Sequence, residues 1–283
     1  MGTVGRTWRL YQQSFSVLSA DVEILLFPVM STISAVVLAA GFFIPLYQDG
    51  TLAALKSGAA RWDDYATLFV WYYVNYFVVI FFNAAIVGCA NIRISGGDPT
   101  VGDGLRVAAS RIGRIAMWAL VAAFVGMILN SLRNRRNKLG SLLGSALGIG
   151  WTLVTYLIVP VLVFEDRTIF DSIQRSSELF RKNWGEQVAG SFGFGLLNIL
   201  LFLPGLGISA LVWQFDRVFA VILGAIYLLI LAALSSAVKG IFTVALYRYA
   251  TEGSAPYGFT ADSFNFIRKP VQRDAWGTSS FNE

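Results

Sequence analysis

The chain has 283 residues, of which 56% are hydrophobic and only 14% charged, with a mean hydropathy of +0.62 and a formal net charge of +5. That usage lies well outside soluble globular domains and makes the bilayer the expected solvent. No histidine and a single cysteine, Cys89, are present, which removes imidazole bases and metal ligands, Ser-His and Cys-His nucleophile pairs, and any internal disulfide.

Six segments contain no Asp, Glu, Lys or Arg: 24–46, 65–92, 115–132, 139–164, 187–215 and 218–238. A spanning helix needs about 20 mostly apolar residues, and backbone groups in lipid must be satisfied within their own segment. The expected fold class is therefore an all-α integral membrane protein with six transmembrane helices. Ahead of the first segment, Arg6, Arg9, Gln12 and Gln13 interrupt any apolar core before Asp21 and Glu23, so a cleavable signal peptide is not expected. Myristoylation is not expected either, because Arg6 stands where the pattern needs Ser or Thr.

In span two, Asn75, Asn83 and Asn91 recur at eight-residue steps among aromatic residues. Such steps rotate by about 80° each and form no single stripe, so interhelical hydrogen bonds are the simplest role for them. Asp63 and Asp64, beside Arg61, read as a solvated loop end without a third metal ligand.

A capped amphipathic segment then precedes each later pair of spans. Thr100-Val-Gly-Asp103 and Thr168-Ile-Phe-Asp171 both fit the capping box, and Asp98-Pro99 adds a helix-start signal. Residues 98–114 and 166–182 align at a constant offset of 68, and at an offset of 97 a fainter copy places Thr3, Trp8, Arg9 and Phe15 where Thr100, Leu105, Arg106 and Ile112 stand. Apolar residues fall seven apart, Leu105 and Ile112, Ile173 and Phe180. Arg106, Arg111, Arg114, Arg175, Arg181 and Lys182 are interleaved. That is the pattern of helices lying among headgroups. The chain thus divides into an interfacial helix with a hairpin over 1–92, a second such unit over 93–164, a third over 165–250 and a C-terminal tail over 251–283, all within one membrane domain.

Span four carries Gly140, Gly144 and Gly148 at every fourth position, a small-residue seam expected to face inside the bundle. Pro204-Gly-Leu-Gly207 is expected to interrupt span five. Trp118, Trp184 and Trp213 fall near span boundaries as interfacial anchors, and Trp151, mid-span, reads as packing. Near the end of span six, Ser236-Ala-Val-Lys239 matches the Ser-x-x-Lys pattern, but its Lys56-Ser-Gly58 partner falls on the opposite side and no Ser-Asp-Asn element exists. Lys239 is therefore of interest without catalysis, as an ionisable group at the hydrocarbon edge. Glu186 is its first expected partner, with Glu165 and Glu23 next.

Lys and Arg number 14 on the side of residues 1–23, 91–114, 165–186 and 247–283 and 7 on the other side, at 56, 61, 133, 135, 136, 138 and 217. The positive-inside rule then places both termini and all amphipathic helices in the cytoplasm and the Arg133–Lys138 loop outside, and the expected location is a plasma membrane.

Four motifs carry a family resemblance: Phe81-Phe-Asn-Ala-Ala-Ile-Val87, Gly96-Gly-Asp-Pro-Thr-Val-Gly-Asp-Gly-Leu-Arg106, Trp184-Gly-Glu-Gln187 and Ala245-Leu-Tyr-Arg-Tyr-Ala250. Through them, roughly residues 5–260 resemble a prokaryotic family of multi-pass membrane proteins, domain of unknown function 6159. The resemblance implies no activity, substrate or catalytic residue. The alternation of interfacial helices and spans is also similar in style to the membrane domain of some glycerophosphodiester phosphodiesterases, without their catalytic domain.

The expected function is non-enzymatic: a lipid-engaging scaffold or envelope accessory that needs no cofactor or metal. Its partners are membrane lipids with anionic headgroups rather than nucleic acid, because the basic residues cluster at membrane edges. A transporter or channel is the alternative, built around a polar cavity lined by Asn83, Asn198 and Lys239.

Overall fold

The computed structural model describes residues 3–51, 57, 61–133, 138–184, 193–260 and 264, with side-chain surroundings left out at some of the helical positions. Within them the chain is helical and contains no strand. The helices are α1 (Thr3–Ala20), α2 (Leu26–Gln48, entered through a 3-10 turn at Val22–Leu25), α3 (Trp62–Ile94), α4 (Val101–Ser110), α5 (Ile112–Arg133), α6 (Lys138–Val154), α7 (Ile158–Phe164), α8 (Ile169–Trp184), α9 (Gly193–Trp213) and α10 (Arg217–Glu252).

Five stretches are long and apolar enough to cross a membrane: Val22–Gln48, Trp62–Ile94, Ile112–Arg133, Leu142–Phe164 and Arg217–Glu252. In α9 the apolar stretch Leu201–Trp213 is shorter, and residues 187–192 of the span expected there lie outside the described residues. Apolar side chains point outward over much of this length. Val29, Ile33, Val36 and Val37 on α2, Leu142, Leu143 and Leu147 on α6, and Val218, Phe219, Val221 and Ile222 on α10 are all exposed. Water would not tolerate so extended an apolar exterior, and hydrocarbon does.

The protein core sits toward the other end of the long helices. Ala84–Ala90 of α3, Val161–Val163 of α7 and Ala237–Leu246 of α10, apart from Lys239 and Gly240, are buried together. At 33 and 36 residues, α3 and α10 are about 50 and 54 Å long, against roughly 30 Å of hydrocarbon. Both helices are thus longer than one crossing requires, and α1, α4 and α8 pack around the buried stretch.

Local chemistry explains the element boundaries. Thr100 Oγ1 accepts from the Asp103 N–H, and the Asp103 carboxylate reaches back to the Thr100 N–H at 3.1 Å. At α8 the Thr168 hydroxyl meets Asp171 Oδ2 at 2.6 Å and accepts from the Asp171 N–H at 3.3 Å. Gly253, with φ of 74°, ends α10 in the left-handed region that glycine tolerates best. Gly104 permits α4 to lie against α3, since a Cβ there would sit 2.9 Å from the Ala85 carbonyl oxygen and 2.6 Å from the Phe27 ring.

Four expectations need correction. Span four is not one helix: α6 and α7 are separated by a turn at Thr155–Leu157. Pro160 causes the break, because it cannot donate to the Tyr156 carbonyl and its ring crowds that oxygen. The Leu157 N–H freed there donates to Ser176 Oγ of α8 at 3.1 Å. Conversely, Pro204 does not interrupt span five, and α9 runs through it. The Tyr227 hydroxyl donates to the neighbouring Leu201 carbonyl, and Gly205 leaves room for the Tyr227 ring. Trp118 is not an interfacial anchor; it is buried and stacks on Trp151 at 5.7 Å. Asn75 bonds within its own helix, to the Trp71 carbonyl at 3.0 Å, and among the described residues not across to another.

The glycine seam does lie inside the bundle. A Cβ at Gly144 would meet the backbone of Leu132 and Arg133, and at Gly148 it would meet the Arg133 guanidinium.

Candidate functional site

One end of the bundle carries a belt of ion pairs that ties the amphipathic helices together. Asp21, just after α1, faces Arg93 at the end of α3 across 3.0 Å. Arg93 also reaches Asp98 at 3.3 Å, ahead of α4. The Arg93 N–H is not aligned on the Asp21 oxygen, so this is an ion pair without a hydrogen bond. Burial pushes the Asp21 carboxyl above its ordinary value even with Arg93 beside it. Glu23 accepts from the Val101 N–H at 3.2 Å, placing a carboxylate at the α4 N-terminus.

Glu165 is the second hub of the belt. It takes Arg167, Arg175 at 3.2 Å and the Tyr247 hydroxyl of α10 at 3.0 Å. Burial raises the Glu165 carboxyl, but these three donors outweigh it and hold the group below its ordinary range. Arg111 and Arg114, at the start of α5, pair with Asp166 and donate to the Val163 and Glu165 carbonyls. Across the belt, Arg248 donates to Ser95 at 2.6 Å.

Of the basic residues expected to meet lipid, Arg111, Arg114 and Arg175 are thus engaged within the chain. Arg106 pairs with Asp103 while 80% of its side chain stays exposed, and Arg181 is exposed. The Lys182 and Asn198 side chains and the whole of Glu186 lie outside the described residues.

Two other expected residues, Asn83 and Lys239, come together in one cavity of about 380 Å³. α10 supplies Ser235, Ser236, Lys239 and Thr243, α3 supplies Asn83, α1 supplies Tyr11, and the turn between α6 and α7 supplies Tyr156. Each has a local reason for its place. Lys239 follows the unbroken apolar run Val218–Val238, which at 1.5 Å per residue spans about 31 Å. The run is about as long as the roughly 30 Å hydrocarbon core is thick, and Lys239 follows it. The lysine is not at the end of its helix, because α10 continues for more than three further turns to Glu252. Tyr156 enters the cavity because the Pro160 break turns it there, and its hydroxyl is hydrogen-bonded to the Thr243 side chain. Burial also pushes the Tyr11 phenol above its ordinary range, keeping it a neutral donor.

No carboxylate among the described residues lies within ion-pair distance of Lys239. Glu165 and Glu23, the alternative partners, are committed to the belt. Among the described residues the cavity is thus a donor-rich chamber with one cation.

The chamber is flanked by more apolar space. A second cavity of about 190 Å³ shares Asn83 and Ser236 with it and passes between α2, α3 and α10. A groove of about 290 Å³ shares Thr32 and Ala233 with that second cavity and is walled by Leu25, Val29, Ile33, Leu229, Ile230 and Leu234. The polarity of the lining falls from ammonium and hydroxyls in the chamber to aliphatic side chains with Thr32 alone in the groove. Sequence reasoning found Asn83 and Lys239 but missed Tyr11 and Tyr156, whose positions depend on the packing of α1 and on the turn before Pro160. Among the described residues no group of three or more His, Cys, Asp or Glu is placed to hold a metal.

No curated protein and no solved structure is significantly similar to the chain. A family model, described as a family of unknown function (DUF6159), matches residues 63–258 and so takes in α3 through α10 with Asn83, Tyr156 and Lys239. Because that match covers more than two thirds of the 283 residues, the chain belongs to this family.

Proposed function

We propose that the protein is a non-enzymatic, multi-pass protein of a prokaryotic plasma membrane that holds a lipid with an anionic headgroup in the Lys239 cavity. The observation that carries this reading is the succession from the Lys239 cavity, through a smaller cavity that shares Asn83 and Ser236 with it, to a mostly aliphatic groove between α2 and α10; this reading puts the ammonium at the hydrocarbon rim and the groove toward mid-bilayer. A phosphate beside Lys239 gains charge-assisted hydrogen bonds from the ammonium, Asn83 and nearby hydroxyls, while an acyl chain follows α2 and α10. In this reading six spans form three units, each led by an amphipathic helix, and both termini are cytoplasmic. The belt arginines then serve to fix the amphipathic helices, and Arg106 and Arg181 remain for the headgroup surface.

The test is native mass spectrometry of the full chain from nanodiscs of phosphatidylglycerol and phosphatidylcholine. The wild type should retain phosphatidylglycerol selectively, and Lys239→Gln should weaken that retention at least about tenfold, equivalent to ~1.4 kcal/mol. The variant should melt no lower than wild type in lipid-free detergent, because no ion pair among the described residues is broken. Equal retention by both proteins would remove the reading.

A further inference from the structure

A second cavity, of about 330 Å³, lies between α3, α5 and α6. Among the described residues its one charged lining residue is Arg133, the last residue of α5. The 22 residues of α5 separate Arg133 from the ion-pair belt at Arg111 and Arg114 by about 30 Å. The cavity therefore opens toward the opposite face of the bundle from the Lys239 chamber.

Its walls fit an anion. Tyr72 and Tyr76 come from α3, Asn130 from α5 and Trp151 from α6, and no acidic side chain among the described residues lines it. The Tyr76 hydroxyl lies against the open face of Gly126, where a Cβ would be 2.7 Å away. The Arg133 guanidinium lies over Gly148 in the space a Cβ would fill. Two of the small residues at this interface thus make room for polar groups rather than only for helix contact. Arg133 has no ion-pair partner among the described residues. Segments 115–132 and 139–164 hold no acidic residue at all. A guanidinium held in a cavity without a carboxylate, among phenol and amide groups, is arranged for forked recognition of an oxyanion.

We infer that this cavity is a second binding site, for an oxyanion of the phosphate class on the membrane face opposite the belt. The oxyanion is carried either by a lipid headgroup of that leaflet or by a small solute. The inference does not depend on the Lys239 reading, and every measurement is repeated in the Lys239→Gln background.

Full-length protein in a neutral maltoside is titrated calorimetrically with inorganic phosphate and with glycerol 3-phosphate. In parallel, phosphatidylglycerol retention is measured from nanodiscs. Saturable binding in the first arm identifies a soluble oxyanion, and binding only in the second identifies a headgroup. In either arm Arg133→Gln should weaken binding at least tenfold. Gly148→Ala should weaken it too, by displacing the guanidinium while every charge is kept. Arg133→Lys, which preserves the charge but not the fork, should fall between and separates loss of recognition from loss of fold. Absence of saturable binding in every arm overturns the inference, as does wild-type affinity in Arg133→Gln.

Discussion

Lys239 and Gly104 show how differently single positions act in this molecule. Lys239 has a polar chamber and no acid beside it, so its role is decided by what enters the chamber. Gly104 has no chemistry, yet α4 cannot approach α3 with a larger residue there. Its missing Cβ would lie 2.7 Å from Cys89 Sγ and 2.9 Å from the Ala85 carbonyl oxygen, and a backbone atom cannot rotate away. Gly104→Ala should therefore destabilise the protein by about 1–3 kcal/mol, read as a lowered melting temperature in detergent. Gly113, around which nothing lies within 4 Å of a Cβ, should accept alanine without loss and serves as the control. A Gly104→Ala melt equal to that of Gly113→Ala would show that the α3–α4 contact yields more easily than the packing implies.

At the scale of elements, the turn between α7 and α8 carries more of the architecture than either helix. Glu165 and Asp166 there receive arginines from α5 and α8 and the hydroxyl of Tyr247 from α10. Glu165 is held below its ordinary carboxyl value in the folded protein. Its stabilising contribution is therefore complete above the unfolded value of 4.5 and is lost as pH falls through the lower folded value. Melting temperature should decline in the wild type as pH falls below 4.5, and Glu165→Gln should lower it at neutral pH and flatten that decline. An equally steep profile in the variant would assign the acid sensitivity to another carboxylate. The caps of α4 and α8 were legible in sequence because a capping box is a local contact three residues long. The α8 face that packs inward was less so, because its buried positions include Ser172 and Ser176. Ser176 turns inward to accept the N–H that the Pro160 break leaves free, a demand made by another helix.

For the whole molecule, orientation is the property most open to measurement. With both termini cytoplasmic, a cysteine at Ser131 faces outward and one at Tyr257, which is 75% exposed, faces inward. In a Cys89→Ala background, an impermeant maleimide on intact cells should label Ser131→Cys and should reach Tyr257→Cys only after lysis; the reverse pattern would invert the topology. Helical class, apolar stretches and helix caps follow from sequence alone, because length, hydropathy and capping act over a few neighbouring residues. The pairing of Asn83 with Lys239, the use of Arg111, Arg114 and Arg175 as braces, the break at Pro160 rather than Pro204, and the lodging of Arg133 over Gly148 were decided only by tertiary packing. Each depends on which helix supplies a partner for a charge, a carbonyl or an empty Cβ position, and residues as distant in the chain as Arg111 and Val163, or Asn83 and Lys239, are brought together only when the helices pack.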